Sequence, residues 1–279
     1  HPSKAQPNQE EQLHTTPLHI LLVEDTEINQ QVAAGLLESD GHQVDIAEDG
    51  YTALSLHNDN DYDLVLMDIH LPDMDGMETT RRMRQHKDTV KAAIVVIALT
   101  AALTQAEQQK YQSAGIDDVL AKPLQYHQLL EILKKYHLYD GEIDQISTYQ
   151  PVEIDARGAD DDFVVDDLTD DDHDIPLINE QLIQQHQTML GPERFAELLK
   201  RFKEQFEDLH QQLEKAITEE NYEQTSKLAH RMAGSCANFG LERLSGVCKE
   251  IEINTMEANL VELKNLYQSS FEQLALTAS

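Results

Sequence analysis

Apolar and polar positions over residues 18–138 switch repeatedly between two rhythms. Short runs rich in apolar and β-branched residues, His19–Val23, Gln43–Ala47, Leu64–Met67, Ala93–Ala98 and Asp117–Leu120, predict strands. Between them, apolar residues recur at the spacing of amphipathic helices. In the first such stretch Ile28, Val32, Leu36 and Leu37 are expected on one helical face. Five strands alternating with helices predict a parallel sheet covered on both sides. In such sheets, chemistry gathers at the carboxyl ends of the strands.

The rhythm is lost from 140 to 174. Acidic residues crowd there beside a single basic one, Arg157. The runs Asp160-Asp161-Asp162 and Asp170-Asp171-Asp172 repel themselves and cannot bury a core, which predicts a flexible, solvated linker. Calcium is a poor fit to these aspartates, because the loop glycine and bidentate glutamate of an EF-hand are missing. Beyond 175 no strand pattern remains. Helical periodicity runs through Asn179–Leu190, Pro192–Glu219, Tyr222–Asn238, Leu241–Ile253 and Ala258–Leu274, punctuated by Gly191-Pro192, Asn221 and Gly240. This predicts an all-α antiparallel bundle. The expected organisation is a disordered leader at 1–16, an α/β domain at 17–139, the linker at 140–174 and the bundle at 175–279.

Composition narrows the function. The 279 residues suit two domains, and 40% apolar content is enough for two cores. The net charge of −31 repels nucleic acid phosphates and anionic lipid surfaces, so neither nucleic acid nor direct membrane contact is expected. Two cysteines, Cys236 and Cys248, make no disulfide framework and fit a reducing cytoplasm. No apolar run approaches the roughly 18 residues that span a bilayer. The chain starts at His1 rather than Met and reads as a piece of something longer.

Chemistry-bearing residues follow the strands in order. The first strand leads into Glu24-Asp25, the third into Asp68, the fourth into Thr100 and the fifth into Lys122-Pro123. On one edge of a parallel sheet, three carboxylates would meet a hydroxyl and an ammonium. Carboxylates so close repel unless a cation sits among them, and oxygen ligands with open coordination suit Mg²⁺. Lys122 and the Thr100 hydroxyl can take phosphoryl oxygens. Such a site is built to esterify a carboxylate with phosphate. Asp68, at the tip of the buried run Leu64–Met67, is the expected nucleophile.

Leu21-Leu22-Val23-Glu24-Asp25, Met67-Asp68 through Asp75-Gly76, Ala98-Leu99-Thr100-Ala101 and Lys122-Pro123 together resemble the response-regulator receiver family. The resemblance covers residues 18–138. It implies a flavodoxin-like sheet of order 2-1-3-4-5, with Asp68 as phosphoacceptor. It also implies that Glu24, Asp25, Asp68 and the backbone carbonyl of His70 are Mg²⁺ ligands, Thr100 the switch hydroxyl and Lys122 the phosphoryl contact. One departure concerns the aromatic that receivers often carry three residues before the lysine. Here that residue is Val119, which puts the usual threonine–aromatic coupling in doubt and predicts a weak conformational switch. His70 and Ala102 flank the site, where side chains tune the lifetime of the aspartyl phosphate.

Among 13 histidines, His230 stands out. Leu228, Met232, Cys236 and Phe239 form an apolar stripe. His230 lies about 200° around the helix from Leu228 and is expected to face solvent. Gly234, one turn on, leaves room for a docking domain. Lys227 and Arg231 flank the imidazole and can stabilise a phosphohistidine. His230, Gly234 and Ser235 resemble the motif of the histidine-containing phosphotransfer (HPt) family. The lysine of that motif is replaced by Ala233, and Lys227 or Arg231 is expected to substitute.

A receiver followed by an HPt domain resembles the C-terminal part of hybrid, or tripartite, histidine kinases, of which the trimethylamine-N-oxide sensor is one type. This implies a phosphorelay from a kinase histidine to Asp68, then to His230, then to a separate response regulator. The implied location is the cytosolic tail of an inner-membrane sensor. No glycine-rich ATP lid and no Asn-bearing nucleotide box is present, so kinase activity is not expected of this chain itself. Two other readings remain. A haloacid-dehalogenase-type phosphatase needs an aspartate where His70 stands, and an interaction module without phosphotransfer would not need the carboxylate set.

Overall fold

The computed structural model describes residues 17–100, 105–139, 176–253 and 257–277. The expected leader and acidic linker, and Ala102, lie outside the described residues. The first part of the chain runs β1 (His19–Val23), α1 (Glu27–Ser39), β2 (Gln43–Ala47), α2 (Gly50–Asp59), β3 (Leu64–Asp68) and α3 (Gly76–Arg84). It continues with α4 (Thr89–Ala92), β4 (Val95–Thr100), α5 (Gln105–Ala114), β5 (Asp118–Ala121) and α6 (Tyr126–Lys135). All strand pairs are parallel, in the order β2-β1-β3-β4-β5.

Alternation along the strands divides the core into two layers. Ile20, Leu22, Leu64, Leu66, Ile97 and Leu99 pack under α1 and α6. Leu21, Val23, Val65, Met67, Val96 and Ala98 pack on the opposite side with Ala53, Met83 and Tyr111. The fourth strand starts at Val95, two residues later than its apolar run suggests. The Asp88 side chain accepts a hydrogen bond from the Val90 amide at 2.8 Å and starts the short helix α4, with Ala93 as its C-cap. Local capping overrides the apolar pattern there.

The second part is helical: α7 (Glu180–Leu190), α8 (Pro192–Thr218), α9 (Tyr222–Asn238), α10 (Glu242–Ile253) and α11 (Glu257–Thr277). Side chains of Asn179 and Asn221 cap α7 and α9, and Pro192 opens α8 after Gly191. Phe202 stacks on Phe239 with ring centroids 4.4 Å apart and meets Phe271 at 5.1 Å. These rings fill the bundle centre with the expected stripe Leu228, Met232 and Cys236.

α1 corrects one expectation. Leu37 packs on the sheet with Ala33 and Ala34, whereas Ile28, Val32 and Leu36 join the core of the helical domain. A step of one residue turns a helix by about 100°, so Leu37 cannot share the face of Leu36 when both sides are covered. α1 is thus buried between the two domains. Each such aliphatic side chain contributes on the order of 1.5–3 kcal/mol relative to exposure.

Candidate functional site

The strand register brings the carboxyl ends level: Val23 pairs with Met67, Asp68 with Leu99 and Thr100 with Ala121. Carboxylate oxygens of Glu24, Asp25 and Asp68 therefore lie within 4.8 Å of one another, the one such cluster among the described residues. Lys122 Nζ bridges two of them, 2.7 Å from Glu24 Oε2 and 2.6 Å from Asp68 Oδ2. The backbone N–H of His70 donates to Asp68 Oδ1 at 3.1 Å and the Thr26 hydroxyl to Asp25 Oδ1 at 3.0 Å. Gly76 lets the chain close behind the site, because a Cβ there would collide with the Asp68 carbonyl.

Three carboxylates against one ammonium leave an excess of negative charge in a dry place. Burial, with Asp68 beside it, holds Glu24 above the usual carboxylate range in spite of Lys122. Burial and Glu24 do the same to Asp25. Lys122 is held strongly protonated: its burial works against the charge, but Asp68 and Glu24 outweigh it. A divalent cation with oxygen ligands and a phosphoryl group would fit this donor set.

Thr100 is buried, and its hydroxyl lies 3.4 Å from the Tyr111 hydroxyl. Sequence reading missed Tyr111. With Val119 in the usual aromatic place, α5 supplies an aromatic hydroxyl from another element. Strand spacing gives no signal for such a contact.

The helical domain presents His230 to this edge. Its ring stands over that of His70, centroids 4.3 Å apart and planes tilted by 49°. The expectation that His230 faces solvent is therefore corrected: its side chain is only 16% exposed, because the face that leaves the bundle core is covered by the other domain. Nδ1 lies 3.0 Å from Glu252 Oε1 on α10. A proton on Nδ1 can be donated to that carboxylate, and in the neutral ring so protonated Nε2 carries the lone pair. Burial alone would lower the affinity of the ring for a second proton, yet Glu252 and then Asp68 raise it overall. Glu252 was not foreseen, because nothing separates it from other surface glutamates until α10 packs on α9.

The flanking residues fall differently. Arg231 Nε lies 3.7 Å from Asp25 Oδ2 and 3.5 Å from the Thr26 hydroxyl, whereas Lys227 pairs with Glu223 on its own helix at 2.7 Å. The Ser235 hydroxyl donates to the Arg231 carbonyl at 3.0 Å. A Cβ at Gly234 would meet only Asn29 Nδ2, at an ordinary 3.6 Å. Between the domains, Asn238 Nδ2 donates to Asn29 Oδ1 at 2.9 Å, and Asn29 Nδ2 donates to Glu24 Oε1 at 3.0 Å. A buried amide relay thus runs from α9 to the carboxylate cluster.

Comparison with known proteins follows the same division. Residues 20–134 match the response regulator receiver domain and residues 197–275 the Hpt domain. The sensor histidine kinase AruS of Pseudomonas aeruginosa is 31% identical over 241 residues, 86% of this chain and 21% of that protein. The aerobic respiration control sensor protein ArcB of Escherichia coli K12 is 30% identical over 243 residues, 87% of this chain and 28% of that protein. The chain therefore spans between about a fifth and just over a quarter of the length of these relatives. Among solved structures, the receiver domain of the sensor histidine kinase PA1611 of Pseudomonas aeruginosa, with magnesium in its active site cleft, is 36% identical at a TM-score of 0.40. That match covers 43% of this chain and 98% of that one.

Proposed function

The chain carries a receiver domain followed by an Hpt domain, homologous to the C-terminal regions of hybrid sensor kinases, and from that premise we propose a relay from Asp68 to His230 within one chain. One observation carries this reading: the His230 imidazole is held against His70, two residues from Asp68, with Nδ1 turned to Glu252.

Asp68 accepts a phosphoryl group from a kinase phosphohistidine. The N–P bond breaks as a P–O bond to an Asp68 carboxylate oxygen forms. Lys122 follows the charge as it moves onto the phosphoryl oxygens, and the Thr100 hydroxyl donates to another. Glu24, Asp25, Asp68 and the His70 carbonyl would hold Mg²⁺, which supplies countercharge to the same oxygens. In the second step the Nε2 lone pair attacks phosphorus. The N–P bond forms, the P–O bond breaks and Asp68 leaves as carboxylate. The proton stays on Nδ1, hydrogen-bonded to Glu252, whose carboxylate stabilises the charged phosphoimidazole. Arg231, rather than Lys227, supplies the cation beside the transferring group. The phosphohistidine then serves a downstream response regulator. Among the described residues no helix is long and apolar enough to cross a membrane, and we place the chain on the cytoplasmic side of a sensor that supplies the kinase core.

The test is radiolabelled phosphotransfer from a kinase core to the full chain. Label should reach both domains, stop at Asp68 in His230→Gln and be absent from His230 in Asp68→Asn. Arg231→Ala should slow the second step and Lys227→Ala should leave it nearly unchanged. Label on His230 in Asp68→Asn, supplied directly by the kinase, would refute the order of transfer.

A further inference from the structure

Asp73 lies in the loop between β3 and α3, and its exposed carboxylate is bound by a different element. Oδ1 accepts from the Gly50 backbone N–H at 3.1 Å and Oδ2 from that of Tyr51 at 3.2 Å. These are the first two amides of α2. Asp49 caps the same helix, its side chain accepting from the Thr52 N–H at 2.7 Å. The amides that open α2 are therefore all bound, two of them by Asp73. A helix start leaves such donors without partners inside the helix and favours an anion beside them. Slight burial works against the Asp73 charge, yet the amides of Gly50, Met74 and Tyr51 hold its carboxyl below the usual range.

The fit around this contact is close. A Cβ at Gly50 would stand 2.5 Å from Thr79 Oγ1 and 3.0 Å from the Met74 carbonyl oxygen, so its absence lets α2 come down on the loop. The loop is also closed on itself. The Gly76 N–H donates to the Ile69 carbonyl at 3.0 Å, and the side chains of Ile69 and Met74 are buried. His70 sits on this loop. Its N–H holds Asp68 Oδ1, its ring stands against that of His230, and its carbonyl would be a Mg²⁺ ligand. Asp73 is not itself among the groups that hold the metal or the phosphoryl group. What it fixes is the loop that carries His70.

We propose that Asp73 is a positioning residue for the phosphorylation site. By clasping the start of α2 it holds the β3–α3 loop, and with it the His70 backbone, where the N–H meets Asp68 and the carbonyl can meet Mg²⁺. The inference deepens the reading of Asp68 as phosphoacceptor and rests on it. Without the clasp more conformations are open to the loop, and the cation must order it on binding. That loss of preorganisation is read as weaker affinity for the metal.

The experiment compares the unsubstituted full chain with Asp73→Ala, Asp73→Asn and Asp49→Ala. Magnesium chloride is titrated and followed by amide NMR shifts, and thermal melting reports the fold. Labelled acetyl phosphate reports loading of Asp68 over a range of magnesium concentrations. Asp73→Ala should weaken magnesium binding by about three- to tenfold, less than the loss of a direct partner of a ligand, because Asp73 stands further back. The magnesium needed for half-maximal loading should rise by the same factor. At saturating magnesium, loading should return close to that of the unsubstituted chain, since the reacting groups are intact. Asp73→Asn keeps one acceptor oxygen and should lie between the two. Asp49→Ala removes a cap from the same helix without touching the loop, so it should lower the melting temperature and leave magnesium affinity as it was. Unchanged magnesium affinity in Asp73→Ala overturns the proposal, whatever the melting temperature. So does an equal loss of affinity in Asp49→Ala, which would trace the effect to the stability of α2 rather than to the clasp. If the unsubstituted chain binds no magnesium and takes no label, the phosphoacceptor reading itself fails, and the clasp with it.

Discussion

Glu252 shows how one side chain fixes the chemistry of another. Its carboxylate holds the Nδ1 proton of His230 at 3.0 Å and so chooses which nitrogen attacks. Glu252→Ala frees the tautomer and removes the countercharge. We expect transfer to His230 to slow by about tenfold or more, the scale of one charged hydrogen bond of roughly 1.5–3 kcal/mol. Glu252→Gln, which can still accept from Nδ1, should retain more of the rate. Equal rates in all three proteins would show that Glu252 does not position the ring. His186 is a residue of a different kind. It is buried in the helical core, and burial pushes its pKa down to about 4 despite a hydrogen bond with the Asn238 backbone. The unfolded chain, with its imidazole near 6.5, binds the proton more readily. The contribution of His186 to stability is therefore complete above about pH 6.5 and is lost progressively as pH falls toward 4, on the order of 3 kcal/mol in the limit. Burial also holds His42, His57 and His210 low, so the variant isolates the effect. Thermal melts at pH 7 and pH 5 should show a smaller drop in His186→Gln than in the unsubstituted chain, and an identical drop would exclude His186 as a source.

At the scale of elements, α1 decides how the domains meet. Its inner face closes the sheet, and its outer face, Ile28, Val32 and Leu36, is covered by the bundle. The sequence showed the apolar residues but not that they belong to two partners. A 3.6-residue period identifies which residues are apolar-facing and says nothing of what covers them. Val32→Glu places a charge in this seam. Loading of Asp68 by acetyl phosphate should persist, because Val32 does not pack on the sheet. Passage to His230 should fall by about a hundredfold, as burial of an unpaired charge costs several kcal/mol. Unchanged transfer would mean that the α1 seam is not the route. The stripe of α9 was legible for the opposite reason. Leu228, Met232 and Cys236 face a single core, so periodicity alone located them.

At the scale of the molecule, charge and connectivity act together. The chain carries 52 acidic and 21 basic residues, yet Arg194 and Arg231 of the helical domain are set against Glu38 and Asp25 of the receiver. The exposed Arg194–Glu38 pair steers more than it holds. Holding falls to the apolar seam and to the covalent connection between the domains. Joining two sites in one chain raises their effective concentration to about the millimolar range. Transfer from Asp68 to His230 should thus be first order in loaded chain and independent of protein concentration. A rate that rises in proportion to concentration would assign transfer to two chains.

The sequence by itself determined the modules: strand order in the chain, the helical periodicity beyond 175 and the ordered set Glu24, Asp25, Asp68, Thr100 and Lys122. These depend on local rhythm and on one rule, that parallel strands bring their carboxyl ends to a single edge. Only the tertiary structure decided that His230 is covered rather than exposed, and that the Tyr111 hydroxyl comes beside that of Thr100. It alone matched Glu252 to the imidazole. Each of these rests on groups on different elements that meet through the packing of those elements, and spacing along a chain carries no record of which surfaces will face each other.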